Sequence, residues 1–382
     1  MNERNYELAV QLRRQLHAHP ELSMEEVWTK QRLMDFLKEH TAQWEILDRG
    51  RWFYAVRKGD VPEGEIVPEG AAAGKKILLR ADFDALPMPD DIDAPWKSQF
   101  ENVGHKCGHD GHAANLCLTA LEIEERGCEN DVYLVFQHAE EIGGGGEEAS
   151  ALLDEVEIDE AYAFHTESGF PYDSMVLRDA CVCFASKGME ITLTGAPAHA
   201  STPEHGRNPA LAIAALIHAV PDFLEPSQYQ GDVLATVIQV DIGERAFGVS
   251  AHKGKLLLTI RGEIEAEMDL LQQKLEDKAL EEAAKYGLSC EFAYYDEFPE
   301  TRNDAELALK IRQVSERLGI AMAKGVKPDR GSEDFGWFGR KTRLGYFCIG
   351  NGENYPSVHD AKFDFIDEQM KTATAVFLEL IK

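Results

Sequence analysis

The chain has 382 residues, 68 of them acidic and 39 basic, for a formal charge of −29. That length suffices for two domains with separate cores, and 44% apolar residues excludes an intrinsically disordered protein. The negative charge argues against a nucleic-acid or anionic-membrane partner, and no run of about 18 apolar residues offers a membrane span.

Residues 3–39 read as helix, with Leu8, Leu12, Leu16 and then Trp28, Leu33, Phe36 and Leu37 at helical spacing and a break at 17–23 around Pro20. Residues 44–56 have strand character, and 61–74, rich in Pro, Gly and Ala, read as loop. The apolar strand in 76–90 runs into paired acids and prolines. Residues 104–125 read as a loop feeding a helix, 131–149 as a strand, polar tip and glycine loop, and 161–167 as a short strand carrying His165. Strands alternating with helices predict an α/β domain around a central sheet, and the polar residues collect at the strand ends, where such sheets place their sites.

The pattern changes near Ser186. An alternating, edge-like strand at 189–201 precedes an apolar helix at 208–224, strands at 233–242 and 254–264, a charged helix at 266–286 and a strand at 289–298. That order predicts an inserted α+β ferredoxin-like domain at 186–297, with the first domain formed by 1–185 and 298–382. The first domain then resumes with a helix after 298, a core strand at 346–352 and an amphipathic C-terminal helix.

The densest chemistry is His105-Lys-Cys107-Gly-His109-Asp110-Gly-His112. A thiolate and an imidazole two residues apart can reach one metal ion if the glycine between them allows a tight backbone. Glu140 and Glu141 follow the strand VYLVF, and adjacent acids at a strand end can divide the work of ligand and base between them. His165 ends another strand and His359 lies in SVHDAKFDF. Each has an ordinary alternative, as solvated helix-start acids or interior histidines. Together they supply more side chains than one catalytic ion with an open position needs, and they fit two ions with a shared ligand. Asp82 or Asp84 can orient a ligating imidazole. Such a site hydrolyses an amide without a covalent intermediate, one glutamate moving the proton. The sequence carries neither a GxSxG elbow nor HExxH, and the glycines at 143–146 match no nucleotide loop. Cys107 as a nucleophile with His109 as its base is the serious rival, less well matched to the surrounding acids and histidines.

RRQLHAHPELSMEE (13–26), RADFDALP (80–87), CGHDGHAANL (107–116), FQHAEE (136–141), GAPAHASTPEHGRNP (195–209), GSEDF (331–335) and VHDAKFDF (358–365) together resemble the M20 family of metallopeptidases, specifically its amidohydrolase branch. The resemblance runs through nearly the whole chain. It implies metal ligands at Cys107, His109, Glu141, His165 and His359, a general base at Glu140, a supporting acid at Asp84, and an oxyanion-stabilising histidine at His199. It also implies two divalent ions per subunit (zinc or manganese, with cobalt or nickel possible), a lid that mediates homodimerisation, and an N-acyl amino acid or related conjugate as substrate. A dipeptidase or carboxypeptidase, or a binding protein that kept the fold, is the alternative. Arg207, Arg330 and Ser332 are candidates to anchor a substrate carboxylate.

The sequence departs from the family pattern at His138, where proline is usual, and at AFHT (163–166), where GLHV is usual. Gly248 stands where the lid ordinarily carries an asparagine that helps hold substrate; Arg245, Ser250 or His252 could compensate. Seven thinly spread cysteines and an N-terminus without the apolar core of a Sec signal peptide lead us to expect a reduced, cytoplasmic protein.

Overall fold

A computed structural model describes residues 1–60 and 74–382. All but Gly74 of the loop expected at 61–74 lies outside these. In chain order the principal elements are α1 (Glu3–Ala18), α2 (Val27–His40), β1 (Glu45–Arg49), β2 (Trp52–Arg57), β3 (Lys76–Asp82), α3 (His109–Arg126), β4 (Asp131–Gln137), β5 (Glu160–Glu167) and β6 (Met175–Val176). There follow β7 (Ala185–Thr194), α4 (Ala210–Phe223), β8 (Val233–Ile242), β9 (Lys253–Gly262), α5 (Glu265–Tyr286), β10 (Ser289–Phe298), α6 (Ala305–Leu318), β11 (Arg343–Gly350) and α7 (Gln369–Leu380). None of the described helices is long and apolar enough to cross a membrane.

The chain forms two compact units. The first comprises Met1–Val182, Arg302–Lys327 and Asp334–Lys382. Its seven-stranded sheet has the order β1-β2-β4-β3-β5-β11-β6. The four central strands β4, β3, β5 and β11 are parallel, and β1, β2 and β6 complete the edges antiparallel. The central strands read as near-continuous apolar runs because both faces are covered, and β2 and β4 are buried along their whole length. The core draws Leu12 and Leu16 from α1, Leu116 and Ala120 from α3, and Val376 and Phe377 from α7. The strand character seen across 44–56 resolves into a hairpin, β1 pairing with β2 from Glu45–Val56 to Arg49–Trp52. Gly50 turns it at φ +87°, a conformation glycine adopts without strain.

The second unit comprises Cys183–Thr301 and Pro328–Glu333. Its antiparallel sheet has the order β8-β9-β7-β10, and α4 and α5 share one core with it through Ile213, Leu216, Leu271 and Leu275. This is the β-α-β-β-α-β arrangement expected from the sequence. One detail differs. The strand read as edge-like is β7, which lies inside the sheet between β9 and β10. Its alternation marks a sheet buried on one face only, which inner and edge strands share. The edges are β8 and β10, and on β8 Val237, Ile238 and Val240 are exposed around a bulge.

Candidate metal centre

The side chains singled out in the first unit meet at the carboxyl ends of the parallel strands. Asp84 follows β3, Glu140 and Glu141 form a single 3-10 turn after β4, His165 lies within β5, and His359 sits on the segment beyond β11. Cys107 and His109 flank Gly108, whose φ of +98° turns the loop into α3. A Cβ there would lie 2.8 Å from Thr166, so the glycine between the two side chains answers both to conformation and to space.

Three overlapping groups bring potential ligand atoms within 4.8 Å of one another: Cys107–His109–His165, Cys107–Glu141–His359 and His109–Glu140–Glu141. Cys107 Sγ is 3.5 Å from His165 Nε2, and His359 Nε2 is 3.3 Å from Glu141 Oε2. His109 Nε2 lies 3.8 Å from a carboxylate oxygen of both Glu140 and Glu141. His109 Nε2 and Glu141 Oε1 are buried and make no hydrogen bond among the described residues. Buried polar atoms rarely go unsatisfied, and a soft–hard donor set of one thiol, three imidazoles and carboxylates around two such atoms fits divalent cations.

The imidazoles are aimed by what they bond behind. His109 Nδ1 is 3.0 Å from Asp84 Oδ1, and His165 Nδ1 is 2.6 Å from the Thr166 carbonyl, leaving each Nε2 toward the cluster. Burial opposes charge on His109, but Asp82, the Cys107 sulfur and Asp84 outweigh it and raise its pKa well above the usual value. Burial, then the Glu141 charge, pushes the Cys107 thiol well up. Asp84 is held below the usual carboxylate range against its burial by the bonds from His109, the Glu141 N–H and Ser23.

His112 also comes near, with Asp82 and His109. Both its ring nitrogens are engaged, however: Nδ1 donates to Asp82 (2.8 Å) and Nε2 accepts the Thr166 N–H (3.2 Å). Burial and the neighbouring His165 lower its pKa to about 3, so it is neutral. Asp82 also receives Arg80, which reaches on to Asp334 of the GSEDF segment (2.7 Å each). Among the described residues, His105 is buried with neither ring nitrogen hydrogen-bonded and joins none of the metal-capable groups. His138, where proline was expected, is buried 3.3 Å from Glu148. Thr166 of AFHT lies against Asn351 and Gln369.

Sequence reasoning missed the layer behind the cluster. Lys106, fully buried, bonds Asp90 and the Phe363 carbonyl with its ammonium, while its own carbonyl accepts the His359 N–H (2.6 Å). Arg13, also fully buried, forms an ion pair with Asp110 (3.0 Å) and a hydrogen bond to Asp364, and His17 bridges Asp110 and Asp90. Glu26 accepts the Ala139 N–H at 2.7 Å, and burial followed by the Asp84 charge raises its carboxyl to about 8.

His199 belongs to the second unit, on the short strand Ala198–His199 paired with Val249–Ser250. Its Nδ1 accepts the Ser201 N–H (3.1 Å), so Nε2 carries the proton. Of the carboxylate-anchor candidates, Arg330 is paired with Asp232 (2.9 Å), and Ser332 Oγ lies 3.0 Å from Arg261. The Arg207 backbone pairs with Ala196.

The chain is similar to N-acetylcysteine deacetylase of Bacillus subtilis, with 26% identity over 97% of this chain and 95% of that protein. Hippurate hydrolase of Campylobacter jejuni is likewise 26% identical, over 97% and 94% of the two chains. Among solved structures, the fold matches the YXEP protein of Bacillus subtilis, described as a dinuclear metal binding peptidase from the M20 family. The match has a TM-score of 0.82 at 23% identity and covers 100% of this chain and 98% of that one. The family model for peptidase family M20/M25/M40 matches residues 78–382, most of the chain. The chain therefore belongs to peptidase family M20/M25/M40 and is a hydrolase of that family.

Proposed function

We propose that this protein hydrolyses the amide bond of an N-acyl amino acid or a related small conjugate. The observation that carries the reading is the convergence of Cys107, His109, Glu141, His165 and His359 around two buried, unsatisfied atoms, with Glu140 beside them. In this reading those five residues hold two divalent ions, zinc or manganese before cobalt or nickel. Cys107, His109 and Glu141 each belong to two of these three groups, so the cluster offers three side chains available to serve both ions. When bound, the ions acidify water and polarise the substrate carbonyl.

The chain's own residues do the rest. Asp84 fixes the His109 tautomer and, through the Glu141 N–H (3.0 Å), the start of the acidic turn. Glu140, buried and next to His109 Nε2, takes a proton from the attacking water as the oxygen bonds to the carbonyl carbon. It returns that proton to the nitrogen as the C–N bond breaks, leaving a free acid and an amine. His199 donates its Nε2–H to the oxygen that becomes negative. N-acetylcysteine deacetylase and hippurate hydrolase are named for such substrates, which supports the class without fixing the acyl group.

The exposed apolar edge strand β8 supports a homodimer formed through the second unit, acting as a lid. Seven free cysteines support a reducing, cytoplasmic location. Nothing in the site calls for a nucleic acid or a membrane. The test is release of free amine from a panel of N-acetyl, N-benzoyl and longer N-acyl amino acids, with dipeptides alongside. Wild type and Glu140→Gln are compared. Metal-dependent release from acylated compounds, lost in the variant, is expected; cleavage of dipeptides alone would move the protein to the peptidases.

A further inference from the structure

Glu26 occupies the N-cap position of α2, yet its carboxyl makes no capping bond to its own helix. Glu21 takes that role, accepting the N–H groups of Trp28 (3.1 Å) and Thr29 (2.8 Å). Glu26 instead turns inward, only 6% exposed, and accepts the Ala139 N–H. Ala139 is no ordinary partner. Its φ of +49° and ψ of +40° are left-handed, which costs a non-glycine residue strain, and it is the hinge between β4 and Glu140. The carbonyl of Ala139 is tied as well, accepting the Gly144 N–H at 2.9 Å. Three residues before Glu26, Ser23 Oγ donates to Asp84 Oδ2 (2.8 Å), the oxygen that also receives the Glu141 N–H. The 23–26 segment thus holds the residue before the acidic turn directly, through Glu26, and reaches Glu141 by way of Asp84.

We propose that Glu26 is a positioning residue, whose accepted hydrogen bond holds the left-handed turn at Ala139 and so aims Glu140 and Glu141 into the cluster. The inference rests on the metal reading above, in which Glu141 is a ligand. Glutamine at position 26 keeps the accepting oxygen and resembles the neutral carboxyl that burial favours. Methionine keeps the volume and removes the oxygen.

The experiment measures Zn2+ affinity of the full chain by competition with a chromogenic chelator, for wild type, Glu26→Met and Glu26→Gln, with kcat and KM measured separately. Glu26→Met is expected to weaken at least one Zn2+ equivalent about 10- to 100-fold and to lower kcat more than it raises KM. Glu26→Gln is expected to stay within about threefold in affinity, a rescue that lost packing alone does not explain. A methionine variant within threefold of wild type, or a glutamine variant as weak as methionine, overturns the proposal. If Glu26→Met does not fold, Glu26→Gln decides: threefold or less supports it, tenfold loss overturns it. Wild type that binds no Zn2+ defeats the metal reading itself, whereas the expected affinities with no turnover of acylated amino acids defeat only the substrate assignment.

Discussion

Asp84 bonds the His109 imidazole through one carboxylate oxygen, at 3.0 Å, and the Ser23 hydroxyl and Glu141 N–H through the other. All three partners are donors, so the site demands an acceptor on both sides. Asparagine offers only one. Asp84→Asn must turn an amide NH2 either toward His109 or toward Ser23 and Glu141, and it is expected to lower metal affinity or activity about 10- to 100-fold. Ser23→Ala removes one of three bonds and is expected to cost only about 0.5–1.5 kcal/mol in stability, with activity within a few-fold. Chelator competition and denaturant unfolding check the two. Equal, small effects would remove Asp84 from its role.

The two histidines of CGHDGH are expected to separate under metal analysis. His109 keeps Nε2 buried without a hydrogen bond, while His112 spends both nitrogens on Asp82 and the Thr166 N–H. His109→Ala is therefore expected to lose bound metal, and His112→Asn to keep the wild-type stoichiometry while losing about 1–3 kcal/mol of stability from the broken buried bonds. Elemental analysis of dialysed protein measures the first, thermal or urea unfolding the second. Loss of a metal equivalent in His112→Asn would contradict this account.

Much of this was legible from the chain, for identifiable reasons. Short motifs at strand ends mark chemistry, because the parallel sheet gathers its carboxyl ends whatever the connections between them. The layer behind was not legible, though it left a trace. Arg13 and His17 fall on the same face of α1 as Ala9, Leu12 and Leu16, so two charged or polar residues interrupt an apolar stripe. Their partners Asp90, Asp110 and Asp364 are distant in sequence, and only the packing of α1 against the loop after β3, α3 and the segment before α7 supplies them. Glu26 left less, since an acid at a helix start has a local explanation that here belongs to Glu21. The misreading of β7 as an edge has the same origin: side-chain alternation reports which face is buried and carries no information on neighbours.

At the opposite end of the sheet, Glu160 offers a pH test away from the metal cluster. Its carboxyl is 2% exposed and bonds Lys75 (2.5 Å), Lys310 (2.8 Å) and the Tyr162 hydroxyl (2.7 Å). Burial works against the charge, but Lys310, Lys75 and Tyr162 prevail and lower the pKa from 4.5 to about 2. The unfolded chain therefore binds more protons between those values. Stability from Glu160 is fully present above about pH 4.5 and disappears as pH falls toward 2. The contribution is no more than about 3 kcal/mol, and less because Lys75 is solvent-exposed and screened. Wild type minus Glu160→Gln, in urea unfolding, is expected to shrink across that window. A difference independent of pH would refute it.

Gly248 is the place to restore what the family resemblance finds missing. A Cβ at this position meets nothing within 4 Å, and its φ lies outside the left-handed region, so neither space nor conformation requires glycine. Its carbonyl accepts the Ala200 N–H (3.0 Å), a bond that any residue here retains. Gly248→Asn is thus expected to leave stability unchanged or raise it by up to about 1 kcal/mol through the less flexible unfolded chain. If the lost amide is a substrate contact, the variant gains one hydrogen bond, worth about 0.5–1.5 kcal/mol, and KM for N-acyl amino acids falls about 2- to 10-fold with little change in kcat. Ser250 is already held, its Oγ accepting Asn208 Nδ2 at 3.1 Å, which makes it a poorer substitute than Arg245 or His252. Unchanged KM in a folded Gly248→Asn protein would mean that the contact is already supplied, and Arg245→Ala and His252→Ala would then identify the supplier by a raised KM.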